Sequence, residues 1–474
     1  MKRNRVDAIS LFSLLLLPSL FAFAASPTKP NVIVIVADDL GYADVGFNGC
    51  KDISTPNIDL LARQGVRFSN GYVSHPACSP TRAGLLTGRY QERFGHENNP
   101  PYLPQSPMNN TFGLPTNQIT LADVLKKAGY QTIAVGKWHL GGASCFHPNV
   151  RGFTEFFGFP FGDHSYLPTR DGDKRFWNSL NRNGQPVPET EYLTDAFSRE
   201  AVNYIEKFKA KPFFLYLAYN AVHLPLEATK IYLDRFPGIA DEKRRTYAAM
   251  TSAMDDGIGR VLNALHKNNL DRDTLIIFLS DNGGPRRDSV PAHNEPLRGY
   301  KGDLYEGGIR VPFVMRWPGR LPSGKVYNDP VCSIDIYPTA AAVAGAKVPS
   351  DRKMDGVNLI PYLLGQQLSV PHPQLFWRVG GGTAWAVREG GYKLVWNGSE
   401  LRRDTPGELE LYDLQTDIGE TRNLAQHNGE IVRRLRRAHC EWNAELVPPL
   451  FDAPSPATNK TPAKIQDSRI SETL

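Results

Sequence analysis

Asn31-Val32-Ile33-Val34-Ile35-Val36-Ala37, followed at once by Asp38-Asp39-Leu40-Gly41-Tyr42, sets the architecture of this chain. An unbroken β-branched run of this length predicts a strand buried on both faces, as in a parallel sheet covered by helices. The run stops at two adjacent carboxylates, which in a regular strand would point to opposite faces. For both to reach one ion the backbone must leave the strand there, and Gly41 permits that turn.

Three further apolar runs repeat the theme. Gln131–Val135 ends in Gly136-Lys137-Trp138-His139, and strand alternation predicts that Lys137 and His139 face the same side. Phe213–Tyr219 delivers Asn220 and His223, and Thr274–Ser280 ends in Asp281-Asn282-Gly283-Gly284. Between them lie helical stretches at Leu121–Ala128, Asp195–Phe208 and Tyr247–His266, with another at Ser333–Ala344 after a strand at Val311–Trp317. The alternation implies an α/β fold: a large, mostly parallel sheet flanked by helices on both faces. Four strands carry polar residues at their carboxyl ends, which is the edge where open α/β sheets bind ligands. Residues 140–190, rich in Gly, Pro, Asn and Phe, read as a long functional loop region.

Beyond residue 372 short strands at Leu375–Trp377, Trp385–Arg388, Lys393–Trp396 and Glu410–Asp413 precede a helix at Glu430–Ala444. They predict a small C-terminal antiparallel sheet with one helix. The expected layout is a leader over 1–25, a catalytic α/β domain over 26–372, an α+β subdomain over 373–452 and a disordered tail over 453–474.

With 41% hydrophobic and 22% charged residues the chain has ample material for a core. A net charge of +5 is too small to argue for nucleic acid or a membrane surface. Lys2, Arg3 and Arg5 before the apolar Leu11–Phe23 run, with Ala22-Phe23-Ala24 as cleavage pattern, read as a secretory signal. The run is short for a bilayer span and a proline interrupts it. The expectation is export to the periplasm or the medium, with no membrane insertion. Five cysteines is an odd count: Cys50, Cys78, Cys145, Cys332 and Cys440, at spacings that suggest neither a disulfide framework nor a thiolate zinc site.

Cys78-Ser79-Pro80-Thr81-Arg82 continues into Ala83-Gly84-Leu85-Leu86-Thr87-Gly88-Arg89. Pro80 suits a first helical turn, and Cys78 and Arg82, four apart, then share one face. A helix N-terminus there would favour an anion and depress the thiol pKa. This motif resembles the signature of the type I, formylglycine-dependent sulfatases, arylsulfatase-like members of the alkaline phosphatase superfamily. The likeness extends over roughly residues 30 to 445.

The resemblance implies an alkaline-phosphatase-like fold and conversion of Cys78 to formylglycine (3-oxoalanine) by a formylglycine-generating or sulfatase-maturing enzyme. It implies a metal held by Asp38, Asp39, Asp281, Asn282 and the modified Cys78. Such hard oxygen ligands favour calcium, then magnesium, over zinc. It further implies that Arg82, Lys137, His139, His223 and Lys301 complete a sulfate pocket, with His223, helped by Lys301, as acid and His139 as base. The expected reaction is hydrolysis of a sulfate ester on a sulfated carbohydrate, of glycosaminoglycan or sulfated galactan type. Candidate sugar contacts are His96 and Glu97, from Gly95-His96-Glu97-Asn98-Asn99, and His164 and Arg170. The alternatives are a phosphonate or phosphodiester hydrolase using the same residue, and a non-catalytic binder of sulfated glycan.

Overall fold

The computed structural model describes residues 29–101, 111–168, 180–397 and 407–451. The expected leader, the tail and Arg170 lie outside them. Asn31–Ala37 is the central strand of a ten-stranded sheet, between Thr274–Ser280 on one side and Phe213–Ala218 on the other, both parallel to it. Gln131–Lys137 and Glu155–Phe159 extend the parallel run beyond Phe213–Ala218. On the opposite flank Phe313–Arg316 runs antiparallel, followed by Val66–Phe68 and Lys325–Tyr327.

The central strand is buried along its whole length, as its β-branched run predicts. Val32, Val34 and Val36 pack into one hydrophobic cluster and Ile33, Ile35 and Ala37 into another, one on each face. Cys78–Thr87 forms a helix with every residue buried, so it runs inside the protein rather than over its surface. It ends at Gly88, whose φ of 68° provides the left-handed cap that other residues seldom adopt. The long Glu242–Lys267 helix covers the other face, its N-terminus capped by the Asp241 side chain.

Register decides where the functional edge lies. Ala37 pairs with Ser280, Val36 with Ala218, and Ala218 with Gly136, so four adjacent strands finish at one level. The polar residues after each run therefore meet along a single sheet edge.

The region read as one long loop contains the strand Glu155–Phe159. Phe156 packs on one face and Phe157 and Phe159 on the other, around Gly158, a weak signal hidden in loop-like surroundings. Gln374–Val379, Ala384–Glu389, Tyr392–Asn397 and Glu408–Asp413 form the expected antiparallel sheet, and Gly429–Asn443 the helix on it. Leu375, Trp377, Ala384, Ala386, Val395 and Tyr412 belong to the same cluster as the large sheet, so this unit shares the main core. Among the described residues no helix is long and apolar enough to cross a membrane. All five cysteines are free thiols.

Candidate active site

Asp38 and Asp39 diverge because the backbone turns between them. Asp38 is held by ladder bonds with Ala221 and Val222, while Asp39 takes a φ of 62°. A left-handed non-glycine residue is costly, and such conformations concentrate at functional sites. The turn brings both carboxylates to one side, and Cys78 Sγ lies 3.5 Å from Asp38 Oδ1 and 4.0 Å from Asp39 Oδ1. Asp38, Asp39, Cys78 and His223 offer ligand-type atoms all within 4.8 Å of one another.

Each site carboxylate has a cation. Arg82 Nε and Nη2 donate to Asp281 Oδ2 at 3.0 and 2.7 Å, and its Nη1 donates to the Lys137 carbonyl at 3.1 Å. Lys137 Nζ donates to Asp38 Oδ2. Lys301 Nζ lies 2.7 Å from Asp39 Oδ1 and 2.9 Å from Oδ2. Asn282 Nδ2 donates to Asp39 Oδ1 at 2.7 Å, whereas the buried Asn282 Oδ1 accepts no hydrogen bond from the described residues. The charges of these pairs cancel, so an anion is drawn in only if further positive charge joins them.

Burial raises the Asp39 pKa, but Lys301, His223 and Lys137 outweigh it and hold the carboxyl near 2. Asp281 is displaced upward, by burial and then by Asp38. The expected depression of the Cys78 thiol is not found. Burial and the Asp281 carboxylate push it up, outweighing Lys137 and Lys301. The helix field acts from one end only, while desolvation of a fully enclosed sulfur opposes the thiolate from all sides.

The two histidines differ in exposure and in contacts. His223 is 21% exposed, as is Lys301, while Asp38 is fully enclosed, so those two side chains line the mouth. His223 Nδ1 lies 2.7 Å from the Leu224 carbonyl, which fixes Nδ1 as the donor and leaves Nε2 toward the site, 3.7 Å from Asp39. Burial, then Lys301 and Lys137, bring its pKa to about 4. His139 is displaced well below its ordinary value, by burial and then by Lys137 and Arg82, and its Nδ1 has no partner among the described residues.

Lys137 and His139 do converge, though not by strand alternation. Gly136 adopts a φ of 106° and His139 a φ of 58°, so the chain twists twice. A Cβ on Gly136 would sit 1.9 Å from the Ala218 carbonyl, so only glycine fits between the strands. A glycine interrupting an apolar strand just before a lysine was the available signal for this kink.

His96 and Glu97 do not face an open cleft; both are fully buried. His96 Nε2 lies 2.7 Å from Ser79 Oγ, which donates to the His139 carbonyl at 2.5 Å. His96 therefore braces the first turn of the Cys78 helix and the backbone of His139. Glu97 pairs with Arg378 of the C-terminal sheet and accepts from the Gly381 amide at 3.0 Å. Glu97→Gln is expected to cost about 3 kcal/mol of stability, since it breaks a buried pair, and to leave KM unchanged. Thermal melts with initial-rate kinetics check this. A large KM rise without loss of stability would restore the sugar-contact reading. His164 is half-buried, with Nδ1 2.8 Å from the Ser165 carbonyl and its ring against Phe159.

The arrangement gathers the Cys78 sulfur, ammonium and guanidinium groups and two imidazoles of lowered pKa around the Asp38 and Asp39 carboxylates. The sulfatase family model matches residues 30–346, and the model for N-sulphoglucosamine sulphohydrolase, C-terminal, matches residues 300–442. N-acetylgalactosamine-6-sulfatase of Mus musculus is 36% identical over 473 residues, covering 90% of this chain and 88% of that protein. Arylsulfatase D of Homo sapiens is 33% identical, covering 78% and 74%. The solved structure of Ps i-CgsB in complex with k-i-k-neocarrahexaose has a TM-score of 0.82 and 41% identity, covering 89% of this chain and 94% of that one. The phosphonate monoester hydrolase of Silicibacter pomeroyi, 20% identical with a TM-score of 0.65, shares the fold. A family match over most of the chain, and relatives of this likeness along nearly all of it, show that the protein belongs to the sulfatase family and is a sulfuric ester hydrolase.

Proposed function

We propose that this sulfatase removes sulfate from a sulfated carbohydrate of glycosaminoglycan or sulfated galactan type, with Cys78 in its formylglycine form and calcium in the site. The observation that carries this reading is the placement of Cys78 against Asp38 and Asp39 inside the Arg82, Lys137 and Lys301 cluster. The substrate class is supported by two relatives, one named for N-acetylgalactosamine-6-sulfate chemistry and one solved with neocarrahexaose.

The donor set fits a hard cation. Asp38, Asp39 and Asp281 supply carboxylate oxygens, and Asn282 Oδ1 is a buried acceptor lacking a hydrogen. Asp38, Asp39, Asp281, Asn282 and the modified Cys78 would hold calcium, which supplies charge to grip and polarise the sulfate. The formylglycine hydrate supplies a nucleophilic hydroxyl and a second hydroxyl for product release.

The chain's own groups then have defined tasks. Lys137 and Lys301 present ammonium protons to sulfate oxygens, and Arg82 fixes Asp281 while its positive charge faces the same point. His223, with its Nδ1–H committed to the Leu224 carbonyl, can take up a second, transferable proton only at Nε2, the nitrogen that faces the site. Sulfate offsets the ammonium charges that depress this imidazole, so substrate binding favours its protonated form. His139, neutral and with an unpartnered Nδ1, is suited to accept a proton.

Sulfate release from neocarrageenan oligosaccharides and from 6-sulfated N-acetylgalactosamine, measured by ion chromatography, tests the function. Release from at least one is expected. No sulfate from either, with faster hydrolysis of a nitrophenyl phosphate diester than of nitrophenyl sulfate, would favour the phosphoryl alternative. For the metal, calcium added to chelator-treated protein is expected to raise the melting temperature. At a hundredfold excess over Kd the stabilisation is about 2.7 kcal/mol. Asp38→Ala removes the shift if that carboxylate is a ligand, and an unchanged shift would relocate the ion.

A further inference from the structure

We propose that Glu420 and Lys393 of the C-terminal region are positioning residues for Lys301, so that the small sheet sets the geometry of the sulfate pocket. This rests on the pocket role of Lys301 in the function proposed above.

Lys301 sits on a segment closed at its base, where the Gly307 amide donates to the Arg298 carbonyl at 2.6 Å. A Cβ on Gly307 would lie 2.3 Å from the Gly299 carbonyl, so the neck is as tight as two backbones allow. Within the segment the Lys301 amide donates to the Gly284 carbonyl at 3.0 Å and the Gly302 amide to the Pro76 carbonyl at 2.9 Å. These bonds join the Asp281 and Cys78 loops to the Lys301 backbone, and at the neck itself Asn294 Nδ2 donates to the Gly299 carbonyl at 3.3 Å and the Gly283 amide to the Gly308 carbonyl at 3.0 Å.

The neck is gripped from the C-terminal sheet at both strands. On one side Arg298 Nη1 donates to Tyr412 Oη at 2.7 Å and to the Glu420 carbonyl at 2.9 Å. On the other the Glu306 amide donates to Glu420 Oε2 at 2.7 Å. Lys393 Nζ bridges the two carboxylates, 2.9 Å from Glu306 Oε1 and 3.0 Å from Glu420 Oε1. All three side chains are completely enclosed. Glu420 therefore touches both ends of the Lys301 segment, one with its carbonyl and one with its carboxylate.

Two features show that this contact is specified rather than incidental. Glu420 adopts a φ of 50°, a conformation that non-glycine residues seldom take. Burying two carboxylates around one ammonium is expensive compared with an apolar packing of the same volume, and removing one partner of such a network leaves a buried charge uncompensated. Lys393, with Arg310 and Arg388, overcomes the burial of Glu306 and holds its pKa near 2, while burial and the Glu306 charge raise Glu420 to about 7, so Glu306 is the firm anion of the pair.

The test is Glu420→Gln in the full-length, calcium-loaded, matured enzyme, alone and combined with Lys301→Ala. Glu420→Gln is expected to lower kcat on the order of 10- to 100-fold through a misplaced ammonium, with KM nearly constant. In the Lys301→Ala background it should have almost no further effect, because the residue it acts through is gone. A crystal structure of Glu420→Gln should show Lys301 Nζ displaced from Asp39. An undisplaced Lys301, or an equal loss in both backgrounds, overturns the proposal. If Lys301→Ala is fully active, the pocket role of Lys301 falls instead, and the crystallographic displacement still decides whether the neck is held by Glu420. Should Glu420→Gln fail to fold, Tyr412→Phe, which removes one of the Arg298 acceptors, carries the same readouts.

Discussion

Cys78→Ala is expected to abolish sulfate release while the protein stays folded. The side chain is small and almost wholly enclosed at the first position of its helix, and its sulfur makes only long contacts with Asp38 and Asp39. Its removal should cost about 1 kcal/mol of stability. The loss of turnover should be on the order of 10⁴-fold or more, as for other nucleophiles whose removal leaves only binding and electrostatics. Cys78→Ser is expected to be equally silent over many turnovers, since a single hydroxyl can attack but cannot expel the product. Ion chromatography of released sulfate beside a circular dichroism melt separates the two effects. Mass spectrometry of the Cys78 peptide in the native protein should find the aldehyde. Activity above one hundredth of the native rate in the alanine variant would remove residue 78 from the chemistry.

Arg82→Ala should damage both stability and turnover. Its guanidinium is completely buried, forks onto Asp281 Oδ2 and caps the Lys137 carbonyl. Without it Asp281 keeps its burial and its neighbour Asp38 but loses its strongest counter-charge. Breaking a buried pair in this way costs about 3–5 kcal/mol. The sign with pH follows from the same carboxylate. Asp281 is already held above its unfolded pKa, and removing the cation raises it further. A raised acid pKa means that the folded state binds more protons than the unfolded chain, so stability falls as pH rises. In chelator, the variant should melt at a higher temperature at pH 5 than at pH 8, by a margin larger than in the native protein. Arg82→Lys keeps the charge but cannot span two acceptors, so it should recover only part of the stability and little activity. A variant with a native melting curve and unaltered pH response would show that Arg82 does not hold Asp281.

The sheet was legible because its signal is local. The unbroken β-branched run at Val32–Val36 and the unbroken apolar run at Leu275–Leu279 can be satisfied only by burial on both faces, and the polar residues after each run mark its carboxyl end. The strand Glu155–Phe159 was hidden because its aromatic run sits among glycines and prolines that read as loop. The convergence of Lys137 and His139 was anticipated for the wrong reason, since two left-handed residues replace the regular alternation. His96 and Glu97 looked like sugar contacts because polar residues beside a nucleophile helix are often exposed. Burial turned them inward, where an unpaired polar group is costly, and each found a partner. For Glu97 that partner is Arg378, 281 residues away.

The amino-acid sequence alone determined the strand-and-helix order, the edge at which polar groups gather, and the Cys78–Arg82 motif, because period, turn residues and helix spacing are short-range properties of the backbone. Tertiary structure decided which charge meets which. Lys137 lies on Asp38, Lys301 on Asp39 and Arg82 on Asp281, and Lys393 of the C-terminal sheet lies between Glu306 and Glu420. Pairing of buried charges depends on separations that only the packed chain sets, since desolvation and Coulomb attraction act through space and not along the sequence.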